Sequence, residues 1–375
     1  MNEKTFCVNP WISINYQFGE GYRPCCVYGT NMEFASIKQY ANSTELATLK
    51  QQLLTGVPAK DCSYCWQEES QGYSSKRLRD NQLFGPVFDY KYKPALESTH
   101  DEFVRYYVRL GNHCNLRCVT CNPDVSTGWI SENKKFGDYV SRPIMIKKTD
   151  PIWQTLRDNA AGIGMIEFIG GEPFMMLEQE QADLFKHLVE TGHSKHIVLL
   201  YTTNGTRMPE EQLEYWQYFK RVDINISIDG VADRFEYLRF PASWNTLVEN
   251  IQQYKKLQKV RLLILHTTSI FNAGYLAEME EFCKSNDLEV FYNMLQDPLI
   301  LDMHRAPAQT RAWIHSRLDG LDNPVIKQIQ KQLHTPHYTA AQDILDYCQK
   351  LDLRRGNSVA QSFPELYEQL NADCQ

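Results

Sequence analysis

No long hydrophobic run occurs in the 375 residues; the longest uninterrupted apolar stretch is IVLLY at 197–201. A membrane-spanning helix needs about 20 predominantly apolar residues, so none is expected. Residues 1–15, MNEKTFCVNPWISIN, also lack the basic-then-apolar order of an export signal. Positive charge is scarce as well: 39 Lys and Arg against 46 Asp and Glu give a net charge of -7. That balance argues against general nucleic-acid binding, with only a local basic groove left open. A Gly-rich phosphate loop, a Ser-His-Asp arrangement and a pair of catalytic carboxylates are missing too, and the acidic run Glu278, Glu280, Glu281 reads as the solvated face of a helix. Cysteine, by contrast, is abundant, at 11 residues. With no export signal the expected location is cytoplasmic, where disulfides are rare and clustered cysteines point to metal binding.

The cysteines fall into two groups. Cys7, Cys25, Cys26, Cys62 and Cys65 lie in the first 65 residues, Cys114, Cys118 and Cys121 form a tight triplet, and Cys283, Cys348 and Cys374 are isolated thiols. The triplet has the spacing C-x3-C-x2-C, which brings three thiolates together with no obvious fourth. A structural zinc site closes with four ligands, whereas a cubane on three thiolates leaves one iron for a ligand or substrate. His113 is the residue that would close a zinc site instead.

From residue 103 onward β-rich runs alternate with helical spacing. Strands are predicted at 103–110, 165–169, 196–203, 222–228, 260–268 and 288–294. Apolar residues at helical intervals lie between them, as in Leu177, Leu184, Phe185 and Leu188, or Trp244, Leu247, Val248, Ile251 and Tyr254. Six such steps imply a parallel α/β sheet with right-handed crossovers, either an open partial (β/α)6 barrel or a flat doubly wound sheet. Ligands in such sheets bind beyond the carboxyl ends of strands. Unusual residues follow each strand in turn: the cysteine triplet, GGEP at 170–173, NGT at 204–206, Asp229-Gly230, SIFN at 269–272 and Gln296-Asp297. Residues 1–100 read differently, with short extended pieces and one clear helix from about Ser43 to Thr55, ended by Gly56. Beyond residue 305 the chain is polar and helical.

The triplet after a first strand, GGEP after a second and a Ser-x-Asp-Gly strand end together resemble the radical S-adenosylmethionine superfamily over about residues 100–295. The resemblance implies a partial (β/α)6 parallel barrel at 101–300, with a catalytic 4Fe-4S cluster on Cys114, Cys118 and Cys121. S-adenosylmethionine would chelate the open iron, and an injected electron from a reductant such as flavodoxin or ferredoxin would release a 5'-deoxyadenosyl radical that removes a hydrogen atom from substrate. By position, Gly170, Gly171, Glu172 and Pro173 would line the amino group of the cofactor, and Ser227 and Asp229 its ribose and carboxylate side. Arg239 would bind its carboxylate, and Asn204 and Asn272 would approach the nucleoside. Thr120 departs from the family, many of whose members carry an aromatic residue just before the third cysteine.

The order C...PCC...C-x2-C-W at the amino terminus resembles the twitch and SPASM modules that hold auxiliary 4Fe-4S clusters, although those modules more commonly follow the barrel. The resemblance implies an auxiliary cluster in residues 1–100 on Cys7, Cys25, Cys62 and Cys65, with Cys26 spare, and a helical cover at 301–375. Zinc remains the alternative occupant of four such thiolates. The enzyme so described acts on a peptide or protein, or else dehydrogenates or rearranges a small metabolite. The reading from another class is a zinc or iron-sulfur binding protein without catalysis.

Overall fold

The computed structural model describes residues 3–96, 102–295, 297–333 and 339–375. Eight strands form one open sheet: β1 (Ser13–Gln17), β2 (Gly21–Arg23), β3 (Arg105–Arg109), β4 (Met165–Ile169), β5 (Val198–Thr203), β6 (Arg221–Ser227), β7 (Val260–Thr268) and β8 (Glu289–Met294). Their order is β2-β1-β3-β4-β5-β6-β7-β8, with β2 and β8 at the edges. The pairs β1/β3, β3/β4, β4/β5 and β7/β8 are parallel, and the hairpin partners β1 and β2 run antiparallel. The six predicted strands are all present, each within two residues of its expected ends. β1 and β2 are additional to those six, and they are the short extended pieces expected in residues 1–100, paired into the sheet.

By packing the chain divides into two compact units, residues 1–113, 143–202 and 209–223, and residues 114–142, 203–208 and 224–375. In the first unit, helix Thr44–Thr55 forms as its caps dictate: Ser43 Oγ accepts from the Leu46 amide and Gly56 ends it at φ 92°. It buries Leu46, Leu49 and Leu53. A longer helix, Lys76–Lys91, lays Phe84 and Phe88 against Val8, Trp11, Ile12, Met165 and Val198. The Trp11 and Phe88 rings meet edge to face at 5.4 Å, a geometry aromatic quadrupoles favour. The same helix buries Arg77 and Asp80, so one sheet face of this unit is polar. There Arg105 pairs with Asp80 at 3.1 Å and with Glu167 at 2.8 Å, and Lys76 reaches Asp80 at 2.9 Å and the Tyr107 hydroxyl at 2.6 Å.

In the second unit, helix Trp244–Tyr254 buries Leu247, Ile251 and Tyr254, the spacing read from the sequence. Strand β6 alternates strictly, with Val222, Ile224 and Ile226 buried and Arg221, Asp223, Asn225 and Ser227 half-buried. The carboxyl-terminal helices Ala308–Leu318, Pro324–Gln332, Ala341–Arg355 and Pro364–Asp373 follow the helical expectation for this region.

Candidate active site

The triplet lies in the second unit, in a loop whose backbone is held on several sides. The Cys114 amide donates to Thr127 Oγ1 at 3.1 Å, Ser126 Oγ donates to the Leu116 carbonyl at 2.5 Å, and the Leu116 amide points at Cys114 Sγ at 3.4 Å. Gly128 is required here, since a Cβ would stand 2.6 Å from the Leu116 carbonyl oxygen. The loop also runs beside residues 238–240, with the Arg117 amide on the Phe240 carbonyl and the Val119 amide on the Leu238 carbonyl, both at 2.7 Å. Cys118 is buried, and Cys114 and Cys121 are half-buried. Cys118 and Cys121 share a hydrogen bond, which lowers the pKa of the Cys118 thiol and, with burial, raises that of Cys121. The positive charge of Arg239 adds to the lowering at Cys118.

Arg239 caps the short helix Asp233–Leu238 and is buried. Its Nη2 pairs with Asp229 Oδ2 at 2.8 Å, and its Nη1 stands 3.8 Å from Cys118 Sγ. Burial opposes its charge, but Asp229 and the two thiols outweigh that and lift its pKa above the usual value. Among the described residues its Nε–H has no partner. A buried guanidinium with a spare donor beside three thiols fits a site that takes an anionic cluster and a carboxylate.

Asp229 follows β6, and its Oδ1 accepts from the Thr267 amide at 2.9 Å. Asn272 donates to the Asp229 and Thr267 carbonyls, both at 2.9 Å, and accepts from the Ser269 amide at 2.7 Å, so its amide holds two strand ends in place. Asn204 does similar work nearer the thiols: it donates to Asn115 Oδ1 at 2.9 Å and accepts from the Thr206 amide at 2.9 Å, with Cys114 Sγ 3.8 Å from its Nδ2. Ser227 ends β6 half-buried. The second unit thus brings together Cys114, Cys118, Cys121, Asn204, Ser227, Asp229, Arg239 and Asn272. Gln296 lies outside the described residues.

GGEP belongs to the first unit. Gly170 adopts φ 148°, and a Cβ on Gly171 would stand 2.3 Å from the His113 carbonyl oxygen. Both glycines are therefore required by the chain's own crossing, where the Gly171 amide donates to Gly111 at 2.9 Å and the Glu172 amide to His113 at 2.8 Å. Glu172 is fully buried and caps Pro173–Met175 through the Phe174 amide at 3.1 Å.

Residues 108–283 match the description of the Radical SAM superfamily. They form a radical SAM domain. GTP 3',8-cyclase of Haemophilus ducreyi is 28% identical over 201 residues, covering 50% of this chain and 52% of the relative. The sporulation killing factor maturation protein SkfB of Bacillus subtilis is 26% identical over 191 residues, covering 49% and 40%. The chain thus spans about half the length of the curated relatives it matches. A solved structure of native anSMEcpe with bound AdoMet and the Kp18Cys peptide is 15% identical, covers 68% of this chain and 62% of that one, and superposes with a TM-score of 0.42.

A radical SAM domain implies a 4Fe-4S cluster and S-adenosylmethionine, and the thiols, the buried guanidinium and the open donor described above fit both. The amino-terminal thiols lie outside the radical SAM domain, in the first unit. Burial pushes the Cys7 thiol far up, and Cys62 and Cys65 add to it; burial likewise pushes Cys62 up to about 12, with Cys25 and Cys65 adding. Cys25, also raised by burial, has Cys26 and then Cys7 as its nearest thiol influences. Cys26, raised first by burial, has Lys76, Glu167, Arg105 and Asp80 as its main charged neighbours. Among the described residues no three His, Cys, Asp or Glu side chains stand close enough for a single metal ion. Sequence reasoning missed Trp129, Glu132, Tyr347 and Arg355, which contact the cysteine loop or its neighbours from helices Thr127–Phe136 and Ala341–Arg355. No local pattern marks them, since an Arg in the last turn of a helix is ordinary dipole complementation.

Proposed function

We propose that the chain cleaves S-adenosylmethionine reductively at a cluster on Cys114, Cys118 and Cys121, and directs the resulting radical chemistry at a peptide or protein. When bound, the cluster and S-adenosylmethionine would supply the hydrogen-abstracting radical. The chain's own residues hold and orient: Arg239, fixed by Asp229, would take the carboxylate of S-adenosylmethionine, and Asn204 and Asn272 keep the strand ends that flank it in place. Cys7, Cys25, Cys62 and Cys65 would hold an auxiliary 4Fe-4S cluster, a reading supported by the influence of Cys62 and Cys65 on Cys7 and of Cys25 and Cys65 on Cys62.

The observation favouring a peptide is a wall of the second unit. β7 and β8 bury Ile264, His266, Thr268, Tyr292 and Met294, while Leu265 and Thr267, in register with Phe291 and Asn293, stay half-exposed. Asn225 and Ser227 on β6 are half-exposed in the same alternation. This upper part of the wall carries amides, hydroxyls and apolar groups and no charge, which suits peptide backbone and neutral side chains. A triphosphate is recognised by cations, so the nucleotide substrate in the name of the cyclase relatives is the less suited partner.

The test is anaerobic reconstitution followed by assay of 5'-deoxyadenosine release with dithionite. Release stimulated by a peptide fraction from the source cell, and not by GTP, is expected. Stimulation by GTP with cyclised product would overturn the peptide reading, and a colourless protein holding zinc would overturn the catalytic one.

A further inference from the structure

Helix Ala341–Arg355, more than 200 residues from the triplet in sequence, reaches the cysteine loop within the second unit. Tyr347 Oη donates to the Val119 carbonyl at 3.2 Å. Two turns on, the Arg355 side chain is 1% exposed and forks onto Glu132, Nε to Oε2 at 3.3 Å and Nη2 to Oε1 at 3.2 Å. Its guanidinium lies 4.7 Å from the Trp129 ring, and the indole N–H of Trp129 donates to the Cys118 carbonyl at 2.9 Å. Glu132 also takes Arg117 Nε at 3.4 Å, and Arg117 and Arg355 lie over the Phe240 ring at 4.7 Å and 5.5 Å. One turn of loop backbone, residues 117–119, is thereby gripped by its amides from 238–240 and by its carbonyls from Trp129 and Tyr347.

Two physical consequences follow for thiolates at Cys118 and Cys121. A carbonyl that loses its donor is free to rotate, and a carbonyl dipole turned toward a cluster stabilises its oxidised, less negative form. The two guanidinia against one carboxylate also leave a positive charge beside the loop, which favours the reduced form. Both effects keep the reduction potential higher than the loop alone would.

We propose that Trp129, Tyr347 and Arg355 are positioning residues for the catalytic cluster, fixing the Cys118–Cys121 backbone and setting the reduction potential of the cluster it holds. This rests on the reading of Cys114, Cys118 and Cys121 as cluster ligands. It makes the carboxyl-terminal helix part of the redox machinery rather than a cover.

The test uses the full chain, reconstituted anaerobically, as wild type and as Trp129→Phe, Tyr347→Phe and Arg355→Met. Trp129→Phe and Tyr347→Phe each remove one donor and keep an aromatic ring. Iron content, thermal midpoint, midpoint potential and the paramagnetic resonance spectrum with and without S-adenosylmethionine are measured, the component that shifts on adding it being the catalytic cluster. Iron content close to wild type is expected in all three, with melting close to wild type in Trp129→Phe and Tyr347→Phe and lowered in Arg355→Met, which leaves Glu132 buried without its main partner; that component should be altered in shape and moved to lower potential. Uncoupled 5'-deoxyadenosine release should fall by about 10-fold, and Arg355→Lys should recover part of the potential. Unchanged potential and spectrum at equal iron content in the three variants would overturn the proposal. If Arg355→Met fails to fold, Tyr347→Phe, which deletes one oxygen, decides alone. A wild type with no component that responds to S-adenosylmethionine would instead overturn the reading of the site.

Discussion

Arg239 keeps its charge at 7% exposure because Asp229 stands 2.8 Å away, and breaking such a pair leaves the partner buried and uncompensated. Arg239→Ala is therefore expected to weaken S-adenosylmethionine binding by roughly 1.5 to 3 kcal/mol, the range for a charge-assisted contact. Titration of reconstituted protein with the cofactor checks this, and an unchanged dissociation constant would remove Arg239 from the site. Asp80 is a second residue-scale case. Burial alone would raise its pKa, but Lys76 and Arg105 outweigh that and hold it below the usual 3.8. A carboxylate depressed by folding contributes stability above its unfolded pKa and loses it as pH falls through the folded one. Asp80→Asn should therefore destabilise the protein at pH 7 by about 3 kcal/mol, as for a broken buried pair. The deficit should shrink on acidification below the 3.8 of an unfolded Asp. Denaturant melts at a series of pH values read it directly.

At the scale of elements, helix Thr44–Thr55 was legible because its caps and apolar spacing agree, whereas helix Lys76–Lys91 was not. The latter exposes Leu78 and Leu83, buries Arg77 and Asp80, and carries Gly85-Pro86 at its centre, so its apolar pattern points to no single face. Tertiary pairing of its charges, as in Asp80 with Arg105, replaces that missing signal. Helix Thr44–Thr55 also carries a cost: burial lowers the pKa of Lys50 from 10.5 to about 8, with its ammonium 5.5 Å from the Trp11 ring centre. Between pH 8 and 10.5 the unfolded chain then binds more protons than the folded one, so stability rises with pH across that window. Lys50→Met is expected to add about 1 to 2 kcal/mol at pH 7 and to flatten the rise. The GGEP turn is the converse, an element with no room. Gly171→Ala, with its Cβ 2.3 Å from the His113 carbonyl oxygen, should cost roughly 1 to 3 kcal/mol in thermal or chemical melts.

For the whole molecule the deciding measurement is iron. Two cubanes predict about eight irons per reconstituted chain, and replacing Cys114, Cys118 and Cys121 together by Ala should remove about four. Cys62→Ala should remove a different four, abolish turnover of the substrate and leave uncoupled cleavage of S-adenosylmethionine largely intact. Cys26→Ala should keep all eight, since Cys25, directly after Pro24, is the thiol in the ligand position of the module that the amino-terminal pattern resembles. Loss of iron in the Cys26 variant would reassign the fifth thiol as a ligand.

Local order in the chain determined the triplet, GGEP, the Asp229 strand end and the six alternating β and α steps, because each rests on spacings that a strand, a tight turn or a short loop converts directly into position. The same logic placed Arg239, whose short helix returns it to Asp229 and Cys118. Tertiary structure alone decided the rest. Asn272 and Asn204 stand where their sequence positions place them, yet their amides are engaged with chain ends brought together from 43 and 89 residues away. Strand β1 became part of the sheet by pairing with β3, Ser13 with Arg105 and Gln17 with Arg109, and brings its hairpin partner β2 with it. The contacts of Tyr347 with the Val119 carbonyl and of Arg355 with Glu132 span sequence separations of 228 and 223 residues. Contacts of that kind are selected by burial and charge pairing in the folded chain, and no periodicity along the sequence encodes them.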